Sequence, residues 1–270
     1  EEAVTVAKTK TFVELATPEQ LAALRTEYFA LLGNLGETVA TDKQQSQFLG
    51  YLFGTAEVVT DPAVALENLK AANKLVVSLK ESKTGNQTLD AYKTRFLALA
   101  KQLMGAEAAA KLDKDDELSL IVGSVMATAK DKKDVAGLFK DLEDAEKFVA
   151  EAKPGDFEKL YAAVSKILGV FDVPVKEKVS MLMGLAIANG RENRSSTDAL
   201  TFLNSANKRL LDAKRGGFKD KAQAAEFRDN FYAIMRLVEP GVDPAENSAG
   251  LLGAVQAIEQ KKLNYGEEAV

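Results

Sequence analysis

Apolar residues along this chain follow a helical period rather than strand-like alternation, and the pattern of one stretch returns three times. Leu24, Tyr28, Ala30, Leu31 and Leu35 match Tyr92, Phe96, Ala98, Leu99 and Leu103. They match Phe157, Tyr161, Ala163, Val164 and Leu168, and again Phe227, Phe231, Ala233, Ile234 and Val238. The common spacing sets most of these side chains on one face of a helix, with aromatics prominent at its first two positions.

Two further helices follow the first in each unit. The second carries Leu52-Phe53-Gly54, Ile121-Val122-Gly123, Leu182-Met183-Gly184 and Leu251-Leu252-Gly253 at one position, with Ala127, Ala188 and Ala257 a turn later. A mid-helix Gly costs about 1 kcal/mol relative to Ala, so its recurrence predicts close approach of another helix. The third carries Ala65, Leu69 and Ala72 in its first copy, Leu138, Leu142 and Ala145 in its second, and Ala199, Leu203 and Ala206 in its last. Asn73-Lys74 lines up with Asn207-Lys208.

The reading is all-α, with about eleven helices in an internally repeated array: three helix triplets of about 60–70 residues and a truncated fourth unit. An α-solenoid-like array and a single helical bundle both fit. First-position helices are expected at Pro18–Leu35, Leu89–Met104, Phe157–Leu168 and Lys221–Val238. Second-position helices are expected at Asp42–Val59, Asp115–Ala129, Val175–Ala188 and Asp243–Lys262. Third-position helices are expected at Pro62–Ser82, Lys133–Ala152 and Thr197–Lys214. Thr17-Pro18-Glu19-Gln20 reads as a capped start, with Gln20 at the capping-box position. Residues 1–16 lack apolar periodicity and read as an N-terminal arm before a single repeat domain, 17–270, with units near 17–86, 87–154, 155–217 and 218–264. Because no third helix follows Lys262, the stripe Leu251, Leu252, Val255 and Ile258 either packs inward or receives the Phe12-Val13 arm of another copy. Inward packing is the expectation.

Composition narrows the chemistry. The chain has no His and no Cys, so Ser-His-Asp and Cys-His catalysis, disulfides, and His- or Cys-held metals are excluded. A formal net charge of −5 argues against nucleic acid, which needs a basic face. No apolar run reaches membrane-spanning length.

Four groups of residues are candidate sites. The repeated aromatics Tyr28, Tyr92, Phe96, Phe157, Tyr161, Phe227 and Phe231 suit an apolar ligand groove, but helical spacing beside small residues is what core packing alone requires. Asp113, Asp115, Asp116 and Glu117 have Leu118 and Ser124 where a calcium loop needs Gly and Glu, and read as acid at a helix start. Arg191, Arg194, Lys208, Arg209, Lys214, Arg215, Lys219 and Lys221 are diluted by Glu192, Asp198, Asp212 and Asp220, and read as solvated helix faces. Asn86-Gln87-Thr88 and Asn193-Arg194-Ser195 match the short glycosylation pattern.

No catalytic, cofactor-binding or metal-binding residue is assigned. The expected function is a non-enzymatic scaffold or structural protein that mediates protein–protein interaction or self-association. The alternative is a carrier for an apolar small molecule such as a lipid or pigment. An enzyme using carboxylate, Lys or Tyr groups ranks below both; such a site should break one copy of the apolar pattern with buried polar groups. If Glu1 is a natural mature end, a leader was removed and the protein is secreted or periplasmic; a trimmed chain is the other reading.

Overall fold

The computed structural model describes residues 2–82, 85–131, 134–173, 178–212, 214, 217–241 and 250–255. It is an all-α helical array with no β-strand among the described residues. Twelve helices run in order: α1 Glu2–Leu15, α2 Pro18–Asn34, α3 Gln44–Val58, α4 Pro62–Glu81, α5 Leu89–Met104, α6 Ala106–Ala109, α7 Lys114–Lys130, α8 Val135–Glu151, α9 Asp156–Val170, α10 Lys178–Arg191, α11 Ser196–Leu210 and α12 Lys221–Val238. Residues 250–255 are helical too. The first-position helices are therefore α2, α5, α9 and α12. The second-position helices are α3, α7, α10 and 250–255, and the third-position helices are α4, α8 and α11. Most of the expected Asp243–Lys262 helix lies outside the described residues.

The chain divides into two compact units. The first holds residues 1–98, 107–142 and 241–243, and the second holds 99–106, 143–240 and 244–270. The divisions after Ala98, Ala106 and Leu142 fall inside helices, within α5, α6 and α8, rather than at the breaks between repeats. In the first unit α4 packs against both α2 and α7, and α1 lies on α3 and α4. In the second, α9 packs against α10 and α11.

Residues 2–15, read above as an arm, form α1. Its buried face is carried by Thr9 and Phe12, while Val6 and Leu15 point outward. Apolar periodicity is weak because Thr9 takes a core-facing place. Thr9 turns its hydroxyl back onto the Thr5 carbonyl at 2.8 Å, and Thr5 donates to Glu57 Oε1 at 2.7 Å. Phe12 is already used within its own chain, and Leu251, Leu252 and Val255 are buried. A Cβ at Gly250 would lie 3.7 Å from the Phe231 ring of α12, so the described part of the terminal stripe packs inward; Ile258 lies outside the described residues.

Burial upholds two of the three repeat registers. In the second-position helices, Leu52, Ile121, Leu182 and Leu251 are buried, as are Ala56, Val125, Ala186 and Val255 four residues on. In the third-position helices the matched Ala65/Leu138/Ala199, Leu69/Leu142/Leu203 and Ala72/Ala145/Ala206 are all buried. The first-position register holds between α2 and α5 but is one turn out in α9 and α12. The buried set Leu24, Leu31, Leu32 and Leu35 corresponds to Leu160, Ile167, Leu168 and Phe171 in α9. In α12 the same spacing falls on Ala224, Phe231, Tyr232 and Met235, of which Ala224 and Tyr232 are buried. Ile234 and Val238, expected in the core, are 58% and 73% exposed.

The helix ends of α2 and α9 support the corrected match. Glu37 N–H reaches back to the Leu32 carbonyl and Val173 N–H to the Leu168 carbonyl, at 2.9 and 3.0 Å. The residue before each bond, Gly36 or Asp172, has positive φ, at 90° and 56°. This is the left-handed turn that closes a helix.

The recurrent glycines do not mark close approach. A Cβ built at Gly54, Gly123, Gly184 or Gly253 meets nothing within 4 Å, and all four positions are exposed. They lie on the outward side of their helices. The close approach is at Gly190, where a Cβ would collide with the Asp144 backbone of α8. Gly123→Ala and Gly184→Ala should therefore each stabilise by up to about 1 kcal/mol. Gly190→Ala should destabilise by about 1–3 kcal/mol or more. Denaturant midpoints of the three variants check this, and a stabilised Gly190→Ala would refute the assigned contact.

Candidate functional site

The repeated aromatics fall into separate clusters. Tyr92 and Phe96 are core residues. In α9, Phe157 and Tyr161 are half-buried, with Lys178 Nζ 5.6 Å from the Tyr161 ring centroid. Phe227 joins Phe171 and Phe218 in a three-ring cluster with centroids 5.3–5.8 Å apart. Phe231 lies beside Tyr232.

The first copy differs. Tyr28 and Phe29 of α2 meet Phe48 and Tyr51 of α3, all four only half-buried. Tyr28 stacks on Tyr51 at 4.7 Å, Tyr51 on Phe48 at 6.0 Å, and Tyr28 meets Phe29 edge-on at 5.3 Å. The Arg25 guanidinium lies 5.8 Å from the Phe29 ring centroid. Burial pushes the Tyr51 hydroxyl up to about 12, with nearby Thr55 moderating the rise. Tyr51 Oη and Gln47 Oε1, one turn apart, are buried without a partner in hydrogen-bond geometry among the described residues. The same helix holds Leu49, Phe53 and Val58 in solvent at 42%, 37% and 42% exposure. Gly50 and Gly54 lie among them, each open to solvent. From Gln44 to Ala56 the helix has no charged residue.

A buried polar intrusion occurs in the second copy. Tyr92 Oη donates to Ser124 Oγ at 2.7 Å, and Asp141 is buried close enough to act on the phenol electrostatically. Matching positions elsewhere hold Leu24, Thr55 and Asn68, or Leu160, Leu185 and Phe202. Ser124 and Asp141 were not singled out from sequence, although comparing the copies position by position exposes them. Burial raises the Tyr92 pKa well above its ordinary value, against the Ser124 hydrogen bond, and Asp141 adds to the rise. A phenol so held stays protonated and makes a poor base. Phe139 packs edge-on against Tyr92 at 6.3 Å, with the Arg95 guanidinium 5.4 Å from the Phe139 centroid.

Another polar pair is buried in the second unit. Ser196 Oγ donates to Asp156 Oδ2 at 2.6 Å, tying the first residue of α11 to the first residue of α9. The Ser196 bond, the Lys153 N–H at 3.0 Å and Lys159 hold the Asp156 carboxyl below its ordinary range despite burial. Forty residues separate the pair in sequence, and no local pattern announces it.

The remaining candidates fall at helix ends and on exposed surface. Asp113 caps α7 by accepting from Asp116 N–H at 2.8 Å, and Asp116 Oδ2 accepts from Asp113 N–H at 3.2 Å. No group of three or more acidic residues placed to hold a metal ion occurs among the described residues. Arg194 pairs with Glu192 and lies 5.7 Å from the Phe202 ring centroid. Arg191 approaches Asp144 at 3.8 Å, Lys208 and Arg209 occupy the last turn of α11, and Lys214, Lys219 and Lys221 are exposed; Arg215 lies outside the described residues. The hydroxyl residues of both glycosylation patterns serve as helix caps: Thr88 accepts from Ala91 N–H and Ser195 from Asp198 N–H.

Asparagine ties the first- and third-position helices together. Asn73 Nδ2 donates to the Glu27 carbonyl at 2.8 Å and to Glu27 Oε2 at 2.7 Å, while its Oδ1 accepts from Asn34 at 3.1 Å. Asn207 Nδ2 donates to the Ala163 carbonyl at 2.9 Å, but its buried Oδ1 has no partner among the described residues. Under the corrected register, Val170 stands where α2 has Asn34.

Asn73→Ala should cost about 1–3 kcal/mol, and Asn207→Ala less, since one acceptor there is already unmet. Val170→Asn should supply that acceptor's donor and raise stability by up to about 1 kcal/mol. Urea unfolding midpoints rank the three; a destabilising Val170→Asn would reject the match. Asp156 gives a pH test. Its depressed pKa contributes stability that is complete above the ordinary carboxyl value of 3.8, and that is lost as pH falls through the lower folded value. Ser196→Ala should lower the melting temperature near neutrality, with the gap to wild type narrowing below pH 4, an ordinary carboxyl range of about 4. A gap independent of pH would refute the coupling.

No family model, curated protein or solved structure matches the chain, so its own geometry carries the functional reading.

Proposed function

We propose that the chain is a non-enzymatic helical-repeat scaffold whose activity is to bind protein. The observation that carries this reading is one face of α3, where Leu49 and Phe53, four residues apart, are held in solvent beside a half-buried aromatic cluster. Apolar side chains gathered on one helix face, flanked by rings, suit association. The ionisable groups with displaced titration support the same reading. Tyr92 is kept protonated and bonded to a neutral serine; Asp156 is kept ionised and bonded to another. Neither arrangement poises a group for proton transfer near neutral pH.

A carrier for an apolar small molecule is the second reading, favoured by the stacked Tyr28 and Tyr51 rings and the unmet Tyr51 Oη and Gln47 Oε1. Among the described residues no helix is long and apolar enough to cross a membrane. Native mass spectrometry of the purified chain separates the readings. A retained polypeptide or a second copy supports the scaffold. A bound small molecule without either supports the carrier and overturns the scaffold. In the scaffold reading Phe53→Lys should abolish the retained species while leaving the melting temperature within about 0.5 kcal/mol-equivalent of wild type, since the substitution is at a surface position.

A further inference from the structure

We infer that the occupant of the α3 face is α3 of a second copy, packed antiparallel across a two-fold axis; this rests on the scaffold reading above. Charge is the first ground. The protein carries a net −5, so two copies repel unless they meet on a neutral surface. The stretch from Gln44 to Ala56 is neutral throughout, in a chain that is 28% charged.

The second ground is where the flanking charges stand. Glu57 lies at one end of the face, accepting from Thr5 at 2.7 Å. Lys43 lies at the other and is exposed. A parallel pairing would set Glu57 against Glu57 and Lys43 against Lys43. An antiparallel pairing turns the acidic end of one helix toward the lysine-bearing end of the other. Two-fold symmetry admits either pairing, depending on whether the axis runs along the helices or across them, and the flanking charges select the antiparallel one.

Shape agrees with charge. Gly50 and Gly54, one turn apart, leave the backbone bare, with nothing within 4 Å of either Cβ position. Leu49 and Phe53, four residues apart, rise beside it. A second copy offers the same bare strip beside the same ridge, so each Phe53 can lie against the other's glycines. A partner helix carrying charge on its contact face would have to leave that charge without a counterpart along the neutral run.

Sedimentation velocity on the full chain, from low to high micromolar concentration, tests the assignment. Wild type should pass from monomer to dimer. Phe53→Glu sets like charges near the axis and should weaken the dimer at least about tenfold, with an unchanged circular dichroism melt of the dilute monomer. Phe53→Lys should do the same alone, and mixing the two variants should restore a heterodimer. Leu211→Glu, at an exposed apolar position just past the end of α11, should leave the dimer intact. A dimer indifferent to Phe53→Glu, or a mixture that stays monomeric, overturns the α3 assignment. A wild type monomeric at every concentration also overturns it; a different polypeptide retained in native mass spectrometry would then leave the scaffold reading standing, and retention of none would remove both.

Discussion

The packing of first-position helices on third-position helices is the contact on which the fold depends. In α4, Ala65, Leu69, Ala72 and Val76 form a ridge that is almost fully buried, and Ala199, Leu203 and Ala206 repeat it in α11. Alternating small and large side chains let helices mesh closely. Apolar burial drives that contact but fixes its register poorly, because a slide of one turn exchanges one leucine for another. A buried asparagine removes the degeneracy. Asn73 reaches the Glu27 carbonyl and Asn207 the Ala163 carbonyl, and after a slide either carboxamide would lose its partner at a cost of about 1–3 kcal/mol.

A second polar device closes the ends of the first-position helices. Lys93 Nζ donates to the Leu35 carbonyl at 2.6 Å in one unit, and Arg228 Nη1 to the Phe171 carbonyl at 2.7 Å in the other. Leu35 and Phe171 are equivalent under the corrected register, so two different cations do one job. Each meets a carbonyl that lacks an intrahelical donor, at the negative end of the helix dipole. Neighbouring first-position helices are thereby joined by something more directional than apolar contact.

How far the sequence reveals this structure depends on which physical signal marks each feature. Helix existence was legible because the apolar period is long and capped: Leu89–Met104 and Lys221–Val238 were placed to the residue. The second- and third-position registers were legible because Leu-x-Gly and Ala-Leu-Ala patterns have few competing alignments. The first-position register was not, since Phe157, Tyr161 and Phe227 look like core yet stand one turn from the true core positions. Large rings at a half-buried helix edge mimic a buried stripe. In α1 the error ran the other way, with Thr9 occupying a core place that no hydropathy pattern marks. Asp156–Ser196 and Tyr92–Ser124 were invisible for a simpler reason: each pair is made by tertiary contact, and neither residue is unusual alone.

The glycines show why pattern and cause must be separated. A glycine recurring at one helix position admits two explanations, close packing inside the molecule or an open strip facing away from it. Phase relative to the apolar stripe separates the two: Gly54, Gly123 and Gly184 each stand two residues, about 200° around the helix, past a buried Leu or Ile. The structure chooses the second for Gly54, Gly123 and Gly184 and gives the first to Gly190. The third-position helices thus hold the register of the fold through buried alanines and an asparagine. The outward faces of the second-position helices carry little of that load, and α3, where apolar side chains accompany the glycines, is free to serve association without being constrained by the core.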